Sequence, residues 1–84
     1  MSATDLRRCI SLHGAVQGTG FRPFLYRLAT EIGLNGWVCN TAFGLITEVE
    51  GLPVQVEEFS SRLESEKPAM AMIAGMEWED LPAN

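Results

Sequence analysis

Residues 14–22, with the sequence GAVQGTGFR, constrain this chain more than any other stretch. Three glycines there follow an alternating apolar segment and precede a helical pattern, which predicts a turn between a strand and a helix. Glycine adopts backbone angles that other residues avoid, and it lets main-chain N–H groups approach a ligand closely. Such N–H groups and the positive end of a helix dipole together form an anion site. Arg22 adds a permanently charged planar group that suits phosphate oxygens. We therefore predict a phosphate-binding loop.

The length and composition predict one small globular domain that spans residues 1–84. The chain has 84 residues, of which 46% are hydrophobic and 20% are charged, a balance typical of folded proteins. We expect residues 1–7 to be flexible. No apolar run approaches the roughly 20 residues of a membrane span, and residues 1–8 lack the apolar centre of a signal peptide. The prediction is a protein of the cytoplasm that does not bind membranes.

The cysteines and the charge narrow the range of partners. Cys9 and Cys39 belong to no metal-binding spacing, so we predict two reduced thiols, with a disulfide as the alternative, and neither a metal nor a cofactor. The net charge of −5 argues against nucleic acid as a partner. Residues 1–40 nevertheless carry four arginines against two acidic residues, whereas residues 41–84 carry two basic against nine acidic residues. The glycine-rich stretch thus lies in the positive half, which fits an anionic ligand there.

Hydrophobic periodicity predicts six elements in the order strand, helix, strand, strand, helix, strand. Their predicted positions are a strand at 8–13, a helix from Pro23 that ends before Gly33, strands at 36–41 and 45–50, a helix from Pro53 that Pro68 closes off, and a strand at 70–78. The alternation in the last strand predicts that Met72, Ala74, Met76 and Trp78 share one face. Residues 81–84 are expected to form an irregular tail.

This order predicts an α+β fold of the ferredoxin-like split βαβ type, βαββαβ, with a four-stranded antiparallel sheet and two helices on one face. In that fold the first two strands run parallel, with the third between them. The glycine-rich loop and Asn40, at the end of the second strand, should therefore lie on the same edge of the sheet. Asn40 carries a donor and an acceptor that can orient a water molecule. We take Arg22 and Asn40 as the candidate catalytic residues.

We predict that such a site hydrolyses a phosphorylated substrate, because phosphoryl transfer needs mainly positioning and charge stabilisation. The substrate should have a good leaving group, since the predicted site contains no acid, base or metal cluster. An acyl phosphate qualifies, since a carboxylate leaves without a proton. The only histidine, His13, is expected to lie on the strand surface with no chemical role.

Each part of this prediction has a purely structural alternative. The glycines could serve only a turn, Asn40 could be a turn former, and Arg22 could be a solvated surface charge. Their predicted meeting on one edge favours a site. An RNA-binding domain shares the element order but needs aromatic side chains on the sheet; the strand at 45–50 has none and carries two acids.

Two segments resemble the signatures of a known family. Gly14-x-Val16-Gln17-Gly18-x-x-Phe21-Arg22, followed by Gly36-Trp37-Val38-x-Asn40-Thr41, is similar to the two signature segments of acylphosphatases. The resemblance implies that Asn40 orients the attacking water. It also implies that the phosphate is bound by the Arg22 side chain and by the loop amides, those of Gln17, Gly18, Thr19, Gly20, Phe21 and Arg22.

A narrower resemblance covers nearly the whole chain. The segment Gly20-Phe21-Arg22-Pro23-Phe24 and the residues up to Asn40 look like the N-terminal acylphosphatase-like domain of the carbamoyltransferases that mature NiFe hydrogenases. This resemblance implies carbamoyl phosphate as the substrate and the downstream domains of a parent carbamoyltransferase as partners. The alternatives are a stand-alone acylphosphatase and a catalytically weak module that binds a phosphate ligand.

The chain departs from the family pattern at two places. Thr19 stands where an apolar residue such as valine is common. The final strand of the family has no counterpart after the strand at 70–78, so we expect that strand to be missing and an edge of the sheet to be exposed.

Overall fold

The computed structural model describes residues 5–82, which form one four-stranded antiparallel sheet and two helices. The elements are β1 (Leu6–Ala15), α1 (Phe21–Ile32), β2 (Asn35–Asn40), β3 (Gly44–Gly51), α2 (Pro53–Ser65) and β4 (Met72–Pro82). The strand order is β2-β3-β1-β4, which confirms the predicted ferredoxin-like fold. Because β3 pairs antiparallel with both β1 and β2, those two strands run parallel and end at the same edge. None of the helices in residues 5–82 is long and apolar enough to cross a membrane.

One apolar core lies between the sheet and the helices. In β1 and β3 the buried side chains follow a period of two, and in each helix they follow a stripe three to four residues apart, as these elements require. The fully buried members with large side chains are Ile10, Leu12, Val16, Phe21, Leu25, Leu45, Val49, Val56, Phe59 and Leu63. Gly33 ends α1 in the left-handed conformation, with a φ of 94°, as predicted for a helix C-cap.

The predicted face assignment of β4 is wrong in its first half. The pairing of β4 with β1 shifts between His13 and Gly14, so that Gly75 lies opposite His13 but Ile73 lies opposite Gly14. An extra residue in one strand reverses the alternation of side chains beyond it. Ile73 therefore packs against the core, whereas Met72 is 71% exposed.

The strands extend further than the periodicity predicted. β4 continues through Leu81 to Pro82, which lies opposite Leu6 at the start of β1. The predicted irregular tail is therefore wrong for residues 81 and 82, because pairing with β1 keeps that backbone extended. Residues 1–4, part of the segment expected to be flexible, and residues 83–84 lie outside the described residues. The missing final family strand stays a prediction.

Arg8 joins three elements on the helix side of the sheet. It is 6% exposed, and its guanidinium donates hydrogen bonds to both carboxylate oxygens of Asp80 at 2.6 and 3.0 Å. It also donates to Glu57 at 2.6 Å and to the Ser60 hydroxyl at 2.9 Å, and it lies 5.6 Å from the ring centre of Trp78. One cation thus links β1, β4 and α2. The hydrogen bond from Arg8 lowers the pKa of Asp80.

We expect Asp80→Asn to reduce the free energy of unfolding by about 1 kcal/mol at about pH 7, a modest value because the Asp80 side chain is 40% exposed. A carboxylate whose pKa is lowered by folding stabilises the protein above its ordinary pKa of about 3.9, and this stabilisation is lost as the pH falls through the lowered value. Urea unfolding should therefore show the difference from the wild type at about pH 7 and little difference at about pH 2.

The matched control for this prediction is Glu79→Gln, which removes an exposed carboxylate from the neighbouring position of β4. It should leave the free energy of unfolding unchanged. An equal loss in both variants, or a loss in Asp80→Asn that persists at low pH, would contradict the role assigned to the Arg8–Asp80 pair.

Candidate active site

The loop between β1 and α1 is held by buried side chains at both ends. Val16 and Phe21 are each 1% exposed. Between them, Gly18 and Gly20 adopt left-handed conformations with φ values of 71° and 82°, which favour glycine. A Cβ atom at either position would meet no atom within 4 Å. Glycine is thus required there by the backbone angle and not by lack of space.

The loop presents a row of unpaired backbone N–H groups. Helix α1 begins at Phe21 after the cap residue Gly20, and no side chain of the described residues caps it. Within residues 5–82, no hydrogen bond engages the backbone N–H groups from Gln17 to Arg22. Free N–H groups at the positive end of a helix dipole attract an anion. The local structure is therefore one that could accept an anion, as the sequence predicts.

Arg22 and Asn40 line the same cavity, which has a volume of about 290 Å³. The other residues that line it are Val16, Gln17, Gly18, Gly20, Phe21 and Pro23. Both Arg22 and Asn40 are exposed to solvent. The structure thus brings together residues that the sequence separates by 18 positions, and it does so through the shared edge of β1 and β2.

Thr19 is the one predicted loop residue that does not line this cavity. Its hydroxyl donates a hydrogen bond of 2.9 Å to the Val16 carbonyl, and this contact closes the loop on itself. The polar residue at this position is therefore used within the loop, a role that a valine could not fill.

Arg22 keeps its charge free for a ligand. Arg7 and Arg8 each pair with two carboxylates, and Arg62 pairs with three. Across residues 5–82, no carboxylate lies within ion-pairing distance of Arg22. The cavity therefore combines an uncompensated cation with the unpaired amides.

His13 and the cysteines lie outside this cavity. His13 is on β1, with its Nε2 atom 3.2 Å from a carboxylate oxygen of Glu77, a surface position as predicted. Cys9 and Cys39 are free thiols. Burial, with the charge of Glu48, raises the pKa of Cys9.

A groove of similar volume, about 300 Å³, lies between α1 and β2. Its lining contains Leu25, Leu34, Val38 and Val49 and no charged residue. An anionic substrate would find no cation there, so the chemistry favours the cavity at the loop.

The Gln17 side chain was missed by the sequence interpretation, which used only its backbone amide. Its Nε2 atom donates hydrogen bonds to the carbonyl of Thr41 at 2.5 Å and to that of Gly44 at 2.7 Å. These partners lie 24 and 27 residues away, and no periodicity or motif spacing predicts such a contact.

The model of the acylphosphatase family matches residues 9–84. The chain therefore belongs to the acylphosphatase family, a class of hydrolases, as its two signature segments predicted.

Relatives of two sizes share this domain. Carbamoyltransferase HypF2 of Cupriavidus necator is 45% identical over 64 residues, which are 76% of this chain and 8% of that protein. Acylphosphatase 1 of Ralstonia nicotianae is 35% identical over 83 residues, which are 98% of this chain and 80% of that protein. The crystal structure of full-length HypF in the phosphate- and nucleotide-bound form matches with a TM-score of 0.94 and 31% identity, over 99% of this chain and 11% of that one. The chain thus spans about a tenth of the carbamoyltransferase relatives and most of the acylphosphatase.

Inorganic phosphate should bind at the loop. In a titration followed by amide NMR, we expect the largest shifts at the backbone amides from Gln17 to Arg22, because their N–H groups would acquire an acceptor. Gly33 is the matched control, since it is also a left-handed glycine and caps the opposite end of α1. An equal shift at Gly33, or no response of the loop at millimolar phosphate, would contradict the site.

Proposed function

We propose that this chain hydrolyses acyl phosphates in the cytoplasm, with carbamoyl phosphate as its substrate. The observation that carries the proposal is the single cavity in which unpaired loop amides, the uncompensated Arg22 and the amide of Asn40 meet. Membership of the acylphosphatase family and the similarity to carbamoyltransferases support the choice of substrate.

The loop and Arg22 would bind the phosphoryl group. The amides from Gln17 to Arg22 donate to its oxygens, and the Arg22 guanidinium neutralises their charge. Donors fixed in advance stabilise charge in the transition state without reorganising during the reaction. No buried ion pair has to break first, because Arg22 has no carboxylate partner in residues 5–82.

Asn40 would position the attacking water. Its amide oxygen accepts a hydrogen bond from the water, so that a lone pair of the water points at phosphorus opposite the acyl oxygen. A phosphorus–oxygen bond to water forms as the bond to the acyl oxygen breaks, and the water's protons pass to the phosphate product and solvent. The carboxylate or carbamate leaves as an anion and needs no general acid. Positioning and electrostatic stabilisation then supply most of the catalysis.

The similarity to HypF proteins supports a further part of the proposal, in which this domain acts with the downstream domains of a carbamoyltransferase. A stand-alone acylphosphatase is the second candidate, favoured by the 80% of the Ralstonia protein that the chain matches. The rates of phosphate release from carbamoyl phosphate and from benzoyl phosphate distinguish the two candidates. The domain of a carbamoyltransferase should prefer carbamoyl phosphate, the smaller substrate, whereas a stand-alone acylphosphatase should not.

Replacing either proposed catalytic residue should abolish most turnover. We expect Asn40→Ala to lower kcat by about 100-fold or more while phosphate binding is kept, because Asn40 acts on the water. Arg22→Ala should lose both phosphate affinity and turnover. Arg27→Ala is the control, since it removes an exposed arginine from the same helix that does not line the cavity. Turnover that is unchanged in both site variants would refute the assigned roles.

One result of these phosphate-binding and turnover assays would instead identify this chain as a binding module without catalytic activity. If the wild-type chain binds inorganic phosphate at the loop but releases no phosphate from either substrate, its function is to hold a phosphate ligand, and the catalytic proposal fails.

A further inference from the structure

The Gln17 side chain connects the phosphate loop to the strand end that carries Asn40. Its Nε2 group has two protons, and it donates one to the Thr41 carbonyl and one to the Gly44 carbonyl. Thr41 follows Asn40 directly, and Gly44 begins β3. The amide is thus bound on both sides of the short turn between β2 and β3.

Hydrogen bonds between its own residues close this turn. The Thr41 N–H donates a 2.9 Å hydrogen bond to the Gly44 carbonyl, and the Phe43 N–H lies 3.3 Å from the Thr41 hydroxyl. Gly44 is buried against β1, where a Cβ atom would lie only 1.9 Å from the Leu12 carbonyl oxygen. The β3 side of the turn is therefore fixed by the sheet.

The β2 side of the turn is restrained by fewer neighbouring strands than the β3 side. β2 is an edge strand with β3 as its one neighbour in the described sheet, and Asn40 is its last residue. Asn40 pairs with Leu45, and its side chain is exposed. The two hydrogen bonds of Gln17 supply a second restraint, and this restraint comes from the phosphate loop itself.

We propose that Gln17 is a positioning residue that fixes Asn40, and hence the attacking water, relative to the bound phosphate. The inference rests on the proposed function and adds a role that the Gln17 backbone amide does not perform. A displacement of about 1 Å in a reacting group can cost about 100-fold in rate. The Gln17 side chain should therefore affect turnover much more than phosphate affinity.

The variant Gln17→Met tests this, because it removes both donors but keeps a side chain of similar length and the backbone N–H. We expect kcat to fall by about 10-fold or more, while the Kd for inorganic phosphate stays within about twofold. Equal losses in kcat and in phosphate affinity would overturn the proposal, since they would show a general distortion of the loop.

Gln55→Met is the matched control. The Gln55 side chain makes the same kind of bridge away from the cavity, accepting from the Leu52 N–H at 2.9 Å and donating to the Ile32 carbonyl at 3.2 Å. We expect Gln55→Met to lower the free energy of unfolding about as much as Gln17→Met does, but to leave kcat unchanged. If Gln55→Met lowers kcat as much as Gln17→Met does, the effect is global and the proposal is wrong.

A double-mutant cycle with Asn40→Ala shows whether Gln17 acts through Asn40. In the Asn40→Ala background, Gln17→Met should cost less than about twofold in kcat, because the residue that it positions is absent. Full additivity of the two effects would overturn the proposal.

An NMR measurement separates this proposal from the proposed function. If the wild type shows no turnover, the function fails, but Gln17 is still tested by the side-chain amide signals of Asn40. These signals should shift with phosphate in the wild type and lose that shift in Gln17→Met, while the loop amides keep theirs. A phosphate response of Asn40 that Gln17→Met leaves unchanged would refute the positioning role.

Discussion

The unpaired backbone N–H groups from Gln17 to Arg22 are the constraint on which the rest of the structure depends. Without a ligand only water can satisfy them, so the loop must stay open to solvent and still keep one shape. Left-handed glycines set the curvature of the loop, and Val16 and Phe21 bury its two ends. The Phe21 ring also meets that of Phe24 edge to face, with the ring centres 5.6 Å apart. The first turn of α1 is thereby fixed to the core while its polar end faces the cavity.

The distribution of charge explains how an acidic chain can offer a site for an anion. The net charge of −5 repels an anionic phosphate ligand at long range, but salt screens this repulsion beyond about 8 Å at physiological ionic strength. At contact distance the local groups decide. Arg7, Arg8 and Arg62 are neutralised by carboxylates that belong to the sheet and to the helices, whereas no carboxylate among residues 5–82 pairs with Arg22. Three of the five arginines are thus used in ion pairs, and of the two others only Arg22 lines the cavity at the loop.

The sequence predicted the fold and the placement of Arg22 and Asn40 on one edge of the sheet, because both follow from the order of the elements. Once β3 lies between two parallel strands, the ends of those strands must share an edge. What could not be predicted depends on contacts between distant residues. The shift in pairing at Gly14 reverses the faces of the first half of β4, and it arises from the fit of two backbones and not from any alternation in Met72–Trp78. The hydrogen bonds of the Gln17 side chain could not be predicted either, because their partners, Thr41 and Gly44, are distant from Gln17 in the sequence.

The pairing of Leu6 with Pro82 has a consequence for how this domain can be handled. Leu6 begins β1 and Pro82 ends β4 beside it, and β1 runs ten residues before it reaches the loop, a distance of about 30 Å. A label or tether at either of these residues therefore stands away from the edge that carries the glycine-rich loop and Asn40. Because the two residues are neighbours, a short linker could join them, and the chain could be reopened between Gly51 and Leu52 at the same remote end. Such a circular permutant would keep every connection around Asn40 intact.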